Sequence, residues 1–373
     1  MAKKTSTGGL FQLDFRGSRY SSGMQIGALK STPVARSATP FKQAAEAAES
    51  ADRFVPTSAD AEVPADLKKV LEAAGKPYYD EVKDLADRAK YYQDVVVDYE
   101  QLGQLVRRTH HEKFSFDPAK YLFPWVDLRP NLRLQSIYAK DPVATTDPIR
   151  VTKAKDFVQK IKVQGAPRVH KDGTVVERKV NAKVDFRQQS KQWAEELLKA
   201  PGNALEIAQR IALVEGHRYY NGEHSMPQYF FDHERTPKGD LHILFACEKK
   251  ANEQRGCRPY GDTRHNPEDR SLGGWATKDI NRFEPDAGKG AVARAALYFL
   301  LRYPGKIGEK ADEYRPEDLA TLLRWHKEDP VSLYELHRNQ AISELQGNRN
   351  PLIDHPEWAE KIDFSAAFAK LTA

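Results

Sequence analysis

The sequence predicts an α+β fold: a mostly helical body with a short strand–loop–strand–helix unit embedded at about residues 215–260. Three observations predict it. Apolar residues recur at helical spacing, as in Val82, Leu85, Ala89, Tyr92 and Val95, and again across Ala291–Leu301. Two short strand-like segments, Tyr219–His224 and Asp240–Phe245, precede a helical Ala251–Arg255. An Asp172–Gly173 pair between weakly alternating runs signals a hairpin within 150–190.

The elements follow in order. Residues 1–60 are rich in Ser, Ala, Thr, Gly and Pro with little apolar periodicity, and read as a flexible tail before a domain at 61–373. A helix from Ala65 ends at Gly75, a suitable C-cap. Tyr78 to about Arg108 is helical, and His110–His111 then reads as a solvated helix end, since adjacent side chains on a helix diverge. Residues 113–150 are aromatic and turn-rich and predict packed irregular structure with short strands. Helices are expected at about 187–199, 203–215, 289–303 and 316–328. Another runs from 333 to Gln346–Gly347, where Ser332 and Glu335 form a capping box.

Composition limits the function. The 373 residues, 40% hydrophobic and 30% charged, can bury a sizeable core. No apolar run approaches the roughly 18 residues of a membrane helix. A net charge of +5 suits a polyanionic partner without requiring one. Two cysteines, Cys247 and Cys257, exclude a four-cysteine zinc site and leave open one bridge or two thiols. Lys3 and Lys4 are not followed by an apolar core, so no standard secretion signal is visible.

Chemistry concentrates at 219–262. Hydrolysis of a phosphodiester needs a base for water, a cation on the phosphate and help for the leaving oxygen. Glu223 stands beside His224, and in an extended segment neighbouring side chains diverge, so one can face a metal and the other a water. Asp240 and His242, two apart, would share a strand face. Asn252 and Arg255, three apart, share a helix face and supply an oxygen ligand for Mg²⁺ or Ca²⁺ and a fork for phosphate. Singly these signals are weak: an isolated Glu-His pair is most often surface decoration, and a His on an apolar strand is usually a core group. His217, His233 and His265 read as structural or surface residues. The order of the three clusters gives the set its weight.

These residues carry a resemblance. Asn221-Gly222-Glu223-His224-Ser225-Met226-Pro227-Gln228, then Asp240-Leu241-His242, then Ala251-Asn252-Glu253-Gln254-Arg255-Gly256 is similar to the bacterial endonuclease I family of His-Me finger, or ββα-metal, nucleases. Phe123–Leu128 with Leu134–Tyr138, Lys289–Arg294 with Arg302–Tyr303, Trp325–Val331 with Arg338–Asn339, and Gln346–Pro356 extend it over roughly residues 75–363. The resemblance implies His224 as general base, Glu223 and Asn252 as ligands of Mg²⁺ (with Ca²⁺ or Mn²⁺ as substitutes), and Arg255 on phosphate or supporting the site. It implies Asp240 and His242 as supports behind the site. It departs at Cys257, where the family pattern often has Asn.

Arg235 is the one Arg of the loop between the strands; Lys289, Arg294, Arg349 and the basic 150–190 arm are candidates for phosphate contacts, with a structural role for Arg349 weighed beside that one. The expectation is a Mg²⁺-dependent endonuclease with little sequence preference, cutting DNA and conceivably RNA to leave 5′-phosphates. It would be a monomer without membrane contact, extracellular or periplasmic by resemblance, with an inhibitor protein as partner if it is a toxin. The rival is a non-catalytic nucleic-acid-binding protein on the same scaffold.

Overall fold

The computed structural model describes residues 62–140, 158–169, 174–185, 187–277, 279–308, 310 and 312–371, all within the unit Arg53–Ala373. The tail expected at 1–60 lies outside them. The fold is α+β. Helices α1 (Ala65–Ala73), α2 (Glu81–Tyr91) and α3 (Tyr99–Thr109) lead to hairpin β1–β2 (Val158–Val169, Val175–Asp185). Then come α4 (Arg187–Lys199), α5 (Ala204–Arg218), β3 (Tyr220–His224), β4 (Leu244–Glu248) and α6 (Lys249–Arg255). A small sheet β5–β6–β7 (Arg270–Ser271, Gly274–Thr277, Arg282–Pro285) precedes α7 (Lys289–Arg302), α8 (Asp318–Glu328) and α9 (Leu333–Gln346).

Helix α7 is the axis of the larger core: every residue from Gly290 to Arg302 is buried, and Phe231, Phe245, Tyr260 and Trp325 belong to the same apolar cluster. A second cluster, with Phe123, Val126, Leu205, Leu241 and Leu244, lies on the other side of β4. Strand β4, buried along most of its length, therefore contributes to both. The predicted capping box of α9 is formed, and Gly347 closes that helix at φ +92°. Strands β1 and β2 pair antiparallel from Val158↔Asp185 to Val169↔Val175, as the hairpin signal predicts; the Asp172–Gly173 turn itself lies outside the described residues.

Several expectations are corrected. The Tyr78–Arg108 stretch is two helices, broken where Asp94 takes φ +60° and Asp98 caps α3 by accepting from Gln101 N. The apolar stripe of α2 is not its buried face: Val82 is 71% exposed, while Asp84 is fully buried because Arg88 and Arg349 neutralise it. Among residues 113–140 there is no strand; Asp117 caps a helical turn Pro118–Tyr121 that widens into a π-type turn Leu122–Val126. Asp240–His242 is not extended either. The Asp240 carboxylate accepts the His242 amide at 3.1 Å and starts a 3-10 turn, so β4 begins at Leu244. His110 is buried, with Nδ1 taking Arg302 Nη2 at 3.2 Å.

Candidate active site

Strands β3 and β4 pair antiparallel, with Glu223 opposite Phe245 and His224 opposite Leu244, and β4 runs directly into α6. The hairpin therefore lays Asn221 and Glu223, two apart on one face of β3, against Asn252 and Arg255, three apart on one face of α6. Arg255 joins the two elements. Its Nη1 donates to Glu223 Oε1 at 2.7 Å and to the His224 carbonyl at 2.7 Å, and its Nη2 donates to the Ser225 carbonyl at 2.9 Å. The Tyr138 hydroxyl donates to the same Glu223 oxygen at 2.7 Å. The Arg255 guanidinium also lies over the Tyr260 ring, 4.4 Å from its centre. Burial raises the Glu223 carboxyl above its ordinary range, opposed by Arg255, Tyr138 and Asn252.

His224 points away from this cluster. Its Nε2 lies 2.9 Å from the Lys238 carbonyl oxygen, and Gln228 Nε2 lies 3.2 Å from its Nδ1. The Phe116 ring stacks on its face, centroids 5.1 Å apart. Burial pushes the imidazole down to about 4, the Lys238 carbonyl opposing, so the ring is neutral near pH 7, the form a base requires.

The donor set suits a hard cation. Glu223 offers a carboxylate. The Asn252 amide NH₂ is spent on Asn221 Oδ1 at 2.8 Å and on Glu223, which leaves the Asn252 carbonyl oxygen as the atom that could face a cation. Among the described residues there is no group of three or more His, Cys, Asp or Glu that could form a protein-only cage. A carboxylate with an amide oxygen is the sparse oxygen set that Mg²⁺ completes with water and phosphate.

The remaining predicted residues are placed as follows. Asp240 and His242 are buried behind the hairpin. Asp240 Oδ2 accepts from Tyr298 at 2.8 Å and Tyr303 at 2.9 Å, and its Oδ1 accepts from Gln346 at 2.9 Å; His242 Nε2 meets the Asn348 carbonyl at 3.1 Å. They anchor the segment whose Lys238 carbonyl holds His224. Arg255, 1% exposed, supports the site and does not reach solvent as a phosphate fork. Arg294, 1% exposed, is corrected from a surface contact to an interior ion pair with Glu335, while Arg349, also 1% exposed, takes the structural of its two readings, paired with Asp84 and Asp354. Lys289 is partly exposed and bonds Glu284 at 2.6 Å. Arg235 is exposed, at the start of the helical turn ending at Lys238. Cys247 is buried and Cys257 exposed, both free thiols.

Tyr138, Gln228 and Phe116 are the site residues that sequence reasoning did not assign. Tyr138 and Gln228 lie inside segments the family resemblance already picks out; Phe116 lies outside them and carries no local signal.

Comparison with known proteins agrees with the geometry. The family described as Endonuclease I matches residues 169–357. An extracellular ribonuclease of Bacillus amyloliquefaciens is 37% identical over 139 residues, 34% of this chain and 47% of that protein. An extracellular ribonuclease of Bacillus subtilis (strain 168) is 35% identical over 147 residues, 35% of this chain and 49% of that protein. An extracellular deoxyribonuclease of Aeromonas hydrophila is 24% identical over 178 residues, 41% and 69% of the two chains. The chain thus spans about half the length of the two ribonucleases. With the family match covering 169–357, half of the sequence and the whole of the β3–β4–α6 unit, the chain belongs to the endonuclease I family.

Proposed function

We propose that this protein is a metal-dependent endonuclease that hydrolyses nucleic-acid phosphodiester bonds, and that β3, β4 and α6 are its ββα-metal (His-Me) finger. One observation carries the reading: a doubly held His224 lies next in sequence to a carboxylate that accepts from the Asn252 amide on the adjoining helix. The Lys238 carbonyl can only accept, so the ring proton sits on Nε2 and the Nδ1 lone pair is the basic atom. In the reaction a water replaces Gln228 at Nδ1 and loses its proton there, and the hydroxide attacks phosphorus in line. Glu223 and Asn252 would hold Mg²⁺, which would neutralise charge on the phosphate and on the departing 3′ oxygen. The product carries a 5′-phosphate. Arg255 and Tyr138 keep Glu223 from turning, so the carboxylate is positioned before substrate arrives.

Both ribose and deoxyribose polymers are proposed substrates, since the relatives are named ribonucleases and deoxyribonucleases. Arg235, Lys238 and the basic β1–β2 arm are the proposed backbone contacts, giving affinity without sequence choice. The relatives' names, extracellular and periplasmic, support action outside the cytoplasm, and no helix among the described residues is long and apolar enough to cross a membrane.

The test is cleavage of plasmid DNA and of a long RNA with Mg²⁺, with EDTA, and by His224→Ala. Cleavage is expected with Mg²⁺ alone and only by the wild type; undiminished cutting by the variant would overturn the assignment.

A further inference from the structure

The segment between α3 and the turn at Pro118 is irregular and exposed from His111 to Lys113 and again from Ser115 to Asp117. It passes against the middle of β3 and the β3–β4 connection at two glycines. A β-carbon at Gly222 would stand 2.7 Å from Pro118 Cγ and 3.0 Å from Phe116 Cε2, and one at Gly239 would collide with the Phe114 carbonyl. The absence of side chains at 222 and 239 is what lets this strap lie against the site.

The strap carries two aromatic rings with different surroundings. Phe114 turns inward, stacked on Tyr121 with centroids 4.2 Å apart. Phe116 covers one face of His224, yet is 36% exposed. A ring needed only to seal the histidine would be covered further, as Phe114 is, half-buried against the second apolar cluster. Beside it the Lys238 ammonium lies 5.6 Å from the ring centre and pairs with no carboxylate among the described residues. An exposed aromatic ring next to an unpaired cation, both touching the base's own surroundings, is the arrangement that takes a splayed nucleobase and its phosphate.

We propose that Phe116 is a substrate-contacting residue that stacks an unpaired nucleobase beside the phosphate attacked at His224, with Lys238 on the adjoining backbone charge, so that single strands are the preferred substrate. This rests on the nuclease reading above. A duplex keeps its bases inside, where no aromatic beside the phosphate can reach them; a single strand can turn one out.

The experiment measures kcat and KM for the wild type, Phe116→Leu and Phe116→Trp. The substrates are short single-stranded oligonucleotides, the same strands with one abasic nucleotide at successive positions, and the matching duplexes. Leucine keeps an apolar cover on His224 but cannot stack. Expected are a roughly tenfold higher KM for Phe116→Leu on single strands, near-wild-type values for Phe116→Trp, and little change on duplexes. One abasic position should cost the wild type a similar factor and Phe116→Leu nothing further. If Phe116→Leu lowers kcat equally on single strands and duplexes, or if the abasic penalty is the same in both proteins, the ring only seals the histidine and the proposal fails. A wild type that cuts no substrate in Mg²⁺ overturns the nuclease reading itself, a separate result.

Discussion

The Nε2 atom of His224 lies 2.9 Å from the carbonyl oxygen of Lys238, fourteen residues along the chain. That contact fixes the tautomer, and it does so from the segment that Asp240 anchors against Tyr298 and Tyr303. The His224 tautomer is thus set through a carboxylate buried behind the β3–β4 hairpin.

The first prediction follows from the tautomer. His224→Ala should lower kcat about 10²- to 10⁴-fold, the usual contribution of a positioned base, with KM little changed. Initial rates on plasmid DNA across substrate concentration measure it; a variant that mainly raises KM would show His224 to be a binding group.

Loss of Arg255 should act on stability as well as on rate. Its guanidinium and the Glu223 carboxylate are both buried, so Arg255→Met leaves the Glu223 charge uncompensated and takes the Arg255 donors from the His224 and Ser225 carbonyls. The expected destabilisation is about 3 kcal/mol, read as a shift in the urea midpoint; an unchanged midpoint would contradict the ion pair.

Asn252→Ala removes a proposed ligand atom and one donor to Glu223 while leaving both members of the Glu223–Arg255 pair in the chain. It should raise the Mg²⁺ concentration for half-maximal cleavage about tenfold or more, since metal-site neighbours commonly matter at that level. The metal titration of cleavage at saturating substrate decides it, and an unshifted curve would remove Asn252 from the ligand set.

Acid should unfold the protein in two stages. His242 and His337 are pushed down to about 4 by burial, against about 6.5 in an unfolded chain. A histidine with a depressed folded value binds its proton more readily unfolded, so its contribution is complete above pH 6.5. That contribution is lost as pH falls towards 4, by a few kcal/mol for the pair together. Burial works to raise the Asp240 carboxyl, but His110, His242, Gln346 and Tyr298 outweigh it and hold it below its usual range. Its contribution therefore persists to lower pH still. Urea midpoints from pH 7.5 to 3.5 should fall below 6.5, and His337→Gln should flatten that fall.

The juxtaposition at the candidate site was legible because it is local. Glu223, His224, Asn252 and Arg255 lie within 33 residues, on two short strands and a helix whose spacings predict which side chains share a face. Charge buried by distant partners was not legible. Arg294 reads as a surface cation until Glu335, 41 residues later, is seen against it. The Asp240–His242 alternation looks like a strand because nothing in the sequence says that the carboxylate will bond the amide two residues on. Phe116 and Tyr138 reach the site across separations of 108 and 85 residues, and pattern within a window cannot see that far.

Those long separations also set when the enzyme can exist during synthesis. Asp84 needs Arg349, Asp80 meets Gln340, Tyr78 meets His337, and Asp240 needs Gln346. A chain still emerging from the ribosome, with α9 inside the exit tunnel, has the segment 221–255 already outside but lacks Gln346, which donates to Asp240 Oδ1 and accepts the Leu241 amide. Arrested chains that stop before α9 should be protease-sensitive and silent in the cleavage assay. On the proposed nuclease reading, assembly in this order would keep the site incomplete beside the ribosome and message that are making it.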